Sequence, residues 1–74
     1  MEKIYVVLLT EEQKDLLVGQ LFTEDSYFNP IQDKNENWVI STEERDYCTN
    51  PEFFWINDLP LIEFIPPDHD NIMP

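Results

Sequence analysis

The stretch DKNENWVISTEE, residues 33–44, decides how this chain folds. As a calcium-binding loop, it places Asp33, Asn35, Asn37, the Val39 carbonyl, Ser41 and Glu44 at the ligand positions, with the apolar Ile40 where such loops carry one. Trp38, however, sits where the loop needs glycine for a left-handed turn, and Pro30 interrupts the entering helix. No second copy of the loop exists to pair with it. As a hairpin, the same residues divide into an Asp/Asn turn, a Trp-Val-Ile strand and a Ser/Thr-x-x-Glu helix start. The second reading accounts for every residue, so a hairpin is predicted.

Working outward, YFNPIQ (27–32) is the extended partner of NWVIS (37–41), and its proline suits an edge strand. IYVVLL (4–9) is a continuous apolar run too short for a helix and rich in β-branched residues, which predicts a central strand buried on both faces. Thr10-Glu11-Glu12-Gln13 has the capping-box pattern and starts a helix whose first-turn acids suit its dipole. Leu17 and Leu21, with Leu16 and the Gln13/Gln20 flank, form its apolar stripe, while Glu12, Lys14 and Asp15 face water. Gly19 within this pattern marks either close packing, the reading preferred here, or an early helix end.

Beyond the central stretch, TEERDYC (42–48) predicts a helical turn capped by Ser41 or Thr42. Asn50-Pro51 opens PEFFWIND as a short helix, although four successive apolar residues also suit a strand. LIEFI alternates around Glu63 as a last strand closed by Pro66-Pro67, and residues 68–74 read as a flexible acidic tail. The prediction is one α+β domain over residues 1–67, with a small antiparallel sheet of about four strands and one main helix packed on one face. Trp38, Phe54, Trp55 and Phe64, with Tyr5, Val7 and Leu17, are its expected core.

Composition bounds the function. With 74 residues the chain holds a single core near the lower size limit. Its 42% hydrophobic content, with five Phe, three Tyr and two Trp, separates it from disordered acidic chains. A net charge of -12, from 16 acidic and 4 basic residues, opposes direct contact with nucleic acid or anionic lipid and attracts basic surfaces. No signal-peptide pattern and no membrane-spanning run is read, so a cytoplasmic setting is expected.

Catalytic chemistry is thin, and no enzyme, cofactor or metal site is expected. Cys48 is alone, has Glu44 and Asp46 nearby in sequence and lacks a neighbouring histidine, so it reads as an unreactive thiol. His69, between Asp68 and Asp70, lies in the proline-bounded tail without preorganised geometry. Adjacent carboxylates such as Glu11-Glu12 and Glu43-Glu44 point apart on a helix.

LLTEEQ, WVIS-T-EE, NPEFFW and LPLIEFIPP together resemble small acidic proteins of bacteriophages and prophage regions, a group with no assigned activity. The resemblance implies a setting inside a host cell. By analogy with DNA-mimic inhibitors of restriction enzymes and CRISPR nucleases, it suggests an anti-restriction or anti-CRISPR type of role, with carboxylates standing in for phosphates. The expected partner is a basic surface of a host protein, a nucleic-acid-binding cleft above all. Glu11, Glu12, Asp15, Glu24 and Asp25 on or beside the first helix form one expected patch, and Glu43, Glu44 and Asp46 a second. The alternative is an assembly protein of a phage particle, or a homo-oligomer, using the aromatic segment 53–56 as its interface.

Overall fold

A computed structural model describes residues 3–67; the expected tail, with its Asp68-His69-Asp70 cluster, lies outside them. Strands β1 (Tyr5–Leu9), β2 (Ile31–Gln32), β3 (Trp38–Ser41) and β4 (Leu61–Glu63) form one antiparallel sheet in the order β2-β3-β1-β4. The α+β fold is the expected one. β1 is internal because it is apolar on both faces, with Val6 and Val7 both buried. Its register pairs Val7 with Ile40 and Leu9 with Trp38, so these four share the face that meets the helices.

Helix α1 (Glu11–Leu17) packs against β1 and β3. The Thr10 side chain accepts from the Gln13 backbone amide, and the Gln13 side chain accepts from the Thr10 amide at 2.9 Å, completing the expected capping box. The helix stops earlier than its apolar stripe suggests. Val18 (φ -61°, ψ 127°) and Gly19 (φ +79°) make a type II turn in which the Gln20 amide donates to the Leu17 carbonyl, a geometry that calls for glycine at its third place. Gly19 therefore ends the helix instead of allowing close packing, since a Cβ there would meet nothing within 4 Å. Leu17 is fully buried, Leu16 is exposed, and Leu21 lies past the helix in a bridge with Tyr27. Lys14 is not purely solvent-facing either, because its ammonium lies 4.5 Å from the centroid of the Trp38 ring.

The quoted stretch is a hairpin. The Asp33 carboxylate is consumed inside the turn, accepting from the Asn35 and Asn37 amides (2.9 Å each) and from Asn37 Nδ2 (3.2 Å). Glu36 takes the left-handed position (φ +67°). Val39 and Ser41 belong to a paired strand, which excludes the convergence a calcium loop requires. Ser41 then caps α2 (Thr42–Asp46) with Glu44 as the reciprocal partner.

Residues Pro51–Asp58 form a 3-10 helical segment of two turns joined at Phe53 (φ -114°, ψ 17°). A repeat of three residues puts Phe53 and Ile56 on one side, and both are buried. Phe54, an expected core residue, therefore points outward and is half exposed, as is Tyr5. Trp38 and Trp55 flank the core, which consists of Val7, Leu9, Leu17, Phe28, Ile40, Phe53 and Ile56. Phe22, Phe28, Phe53 and Trp55 run through it as successive tilted or edge-on pairs, with centroids 5.3, 5.4 and 6.4 Å apart.

The opposite face of the sheet carries Val6 and Val39. After β4 the chain turns toward it, for the Ile65 carbonyl accepts from the Lys34 amide at 2.8 Å, joining the β4 side to the β2–β3 turn. Among the described residues no helix is long and apolar enough to cross a membrane.

Candidate functional site

Two capping boxes fix where the acids stand. α1 begins after Leu9, and α2 begins after Ser41; since Leu9 pairs with Trp38 and Val6 with Ser41, the two helices start at opposite ends of the β1–β3 pair. Glu11 and Glu12 are thus separated from Glu43, Glu44 and Asp46. Asp15, on α1, is bound to its neighbour Lys14 at 2.6 Å.

Glu24 and Asp25 are not on α1 itself, which ends at Leu17. They sit at the tip of a loop closed by the Phe22 amide donating to the Ser26 carbonyl. Both arms of this loop are bonded to the α2 region. On one arm the Thr49 amide donates to the Phe22 carbonyl (2.8 Å) and Asn50 Nδ2 to the Leu21 carbonyl (3.4 Å). On the other, the Asn29 amide donates to Glu44 Oε1 (2.8 Å). Glu24, Asp25, Glu43 and Asp46 are thus carried by segments that are hydrogen-bonded to each other.

Glu44 differs from its neighbours. Its Oε2 accepts from the Ser41 hydroxyl at 3.3 Å while Oε1 holds Asn29, so this carboxylate ties the loop to α2 as well as capping the helix. Asp46 is partnered by Arg45 at 3.1 Å, the one cation in segments 21–29 and 41–50. Glu24, Glu43 and Asp25 are exposed and have no cationic partner among the described residues. Two tyrosines stand in the same segments, Tyr27 and Tyr47, at 64% and 65% exposure, too open for a role in the core.

A groove of about 280 Å³ adjoins this surface on the sheet face away from α1. Val6 and Val39 are its buried floor, Ile31 and Phe64 flank it, and Asn29 and Glu44 bring polar atoms to its edge. Sequence reasoning missed this feature. Register alone could have placed Ile31 beside Val39, and alternation from Ile62, opposite Val6, puts Phe64 on the same face.

The alternative interface at 53–56 is largely turned inward, with Phe53 and Ile56 in the core and Phe54 exposed. Cys48 is half buried, and its thiol meets the Asn50 carbonyl at 3.5 Å. Among the described residues, no three His, Cys, Asp or Glu side chains converge as metal ligands. No known protein family, curated protein or solved structure matches the chain.

Proposed function

We propose that this protein is a non-enzymatic inhibitor that binds a basic, nucleic-acid-handling cleft of a host-cell protein by presenting carboxylates in place of phosphates. One observation carries the reading. Segments 21–29 and 41–50 are hydrogen-bonded together and contribute five carboxylates and two open tyrosines against a single arginine that Asp46 already occupies. Backbone held by caps and cross-segment hydrogen bonds loses little freedom on binding, and arginine clamps suited to phosphate accept carboxylates in the same forked geometry. The tyrosines supply rigid amphipathic area of the kind that dominates interface energy. At a net charge of -12, two copies of the chain repel, which favours a cationic partner over self-association.

The test is capture of partners from a bacterial lysate at low salt, followed by competition with duplex DNA for the isolated partner. The expected partner is a nucleic-acid-binding protein that DNA displaces, in a complex that weakens steeply as salt rises. A partner held regardless of DNA and salt would overturn the reading.

A further inference from the structure

The groove beside Glu44 is a built feature of the same surface. Its floor is apolar, formed by the buried Val6 and Val39, and its flanks Ile31 and Phe64 are apolar too. Its volume of about 280 Å³ lies below the range of about 300–1,000 Å³ typical of drug-sized ligands, and so suits a single side chain. The charged group at its edge is an acid. Glu44 is fixed there by the Asn29 amide and by the Ser41 amide and hydroxyl, so of about four acceptor positions on its carboxylate Asn29 fills one well and Ser41 two loosely, which leaves Oε1 open to a further donor.

An occupant of this groove must therefore combine an aliphatic stem with a cationic head. Both arginine and lysine bury their stems along apolar surface while keeping the head at a polar edge. Arginine fits better here, because a guanidinium is more weakly hydrated than an ammonium and so loses less on leaving water for a partly apolar groove. We infer that the groove formed by Val6, Val39, Ile31 and Phe64, with Glu44 at its edge, is the anchor site for an arginine side chain of the partner protein. This rests on the proposed function and would add to the charged segments a desolvated anchor of the kind strong interfaces need.

The probe is N-acetyl-arginine amide, titrated into the intact chain and followed by methyl NMR. Saturable shifts are expected at Val6, Ile31 and Val39. Glu44→Gln preserves the capping box, as Gln13 does on α1, and should weaken the probe by about tenfold. Ile31→Trp fills the groove from its exposed flank with Glu44 intact, and should abolish the shifts. N-acetyl-norleucine amide, with a stem and no charge, should bind more weakly than the arginine amide. Absence of shifts, equal binding by Glu44→Gln, or equal binding of the norleucine amide would each overturn the anchor. If Glu44→Gln leaves the whole partner's affinity unchanged while neutralising the exposed acids destroys it, the anchor fails and the acidic-surface reading stands.

Discussion

Removing the Asp33 carboxylate is the sharpest perturbation of the turn on which the fold depends. The side chain accepts three hydrogen bonds and the residue is 4% exposed. Hydrogen bonds to charged groups contribute about 1.5–3 kcal/mol each when measured singly, but they are not additive. The exposed Asn35 amide regains water when the acceptor goes, so Asp33→Ala should cost about 2–3 kcal/mol in total. A domain of 74 residues has about 4–11 kcal/mol of stability, which makes this a large fraction. At about 4–8 °C per kcal/mol for a chain this size, Tm should fall by about 8–24 °C. Asp33→Asn keeps one oxygen for both backbone amides and loses charge assistance, so it should cost only about 1 kcal/mol. Urea unfolding and a thermal melt, each with and without calcium, give the comparison. A loss below about 0.5 kcal/mol for Asp33→Ala would refute the turn argument. So would a calcium-dependent rise in Tm, which would restore the metal-loop reading.

Other substitutions probe separate parts of the fold. Glu36→Gly should raise stability by about 0.5 kcal/mol, because relief of the left-handed strain at φ +67° exceeds the entropic cost of glycine; an unchanged urea midpoint would contradict this. Gly19→Ala should cost about 1 kcal/mol through backbone strain alone, since open space surrounds the site, and Gly19→Asn should cost less; equal unfolding midpoints for the two variants would count against it. Phe53→Ala should cost about 3–5 kcal/mol and Phe54→Ala less than about 1 kcal/mol in urea unfolding, and the reverse order would mean that the 3-10 phase is wrong.

Features set by neighbours in sequence were legible. Both capping boxes were visible as Thr10-x-x-Gln13 and Ser41-x-x-Glu44, because the bonds run between residues three apart. The internal position of β1 followed from apolar residues on both faces. The phase of FFWI was not legible, since a 3-10 turn and a strand expose different members of the same four residues. Gly19 was ambiguous for a similar reason, as its role depends on a backbone angle that composition does not reveal.

The site was less legible than the fold. Sequence proximity suggested that Glu24 and Asp25 lie on or beside α1 and gave no sign of the contacts, between residues 15 to 29 positions apart, that attach their loop to the α2 region. Glu44 read as one acid among several, and its bond to Asn29 is a tertiary fact. The groove exists only because chain distant in sequence covers one sheet face beside that carboxylate.

The claim under all of this is that carboxylates gathered on the 21–29 and 41–50 segments hold a cationic cleft. Affinity for the isolated partner, measured with Glu24, Asp25, Glu43 and Asp46 neutralised together as Gln or Asn, tests it most directly beside a control with Glu11, Glu12 and Asp15 neutralised on α1. Four lost pairs at about 0.5–1 kcal/mol each, about 2–4 kcal/mol together, predict a fall of about thirtyfold to several hundredfold for the first variant and a small change for the second. Equal affinity of the first variant and the unaltered protein would contradict the account.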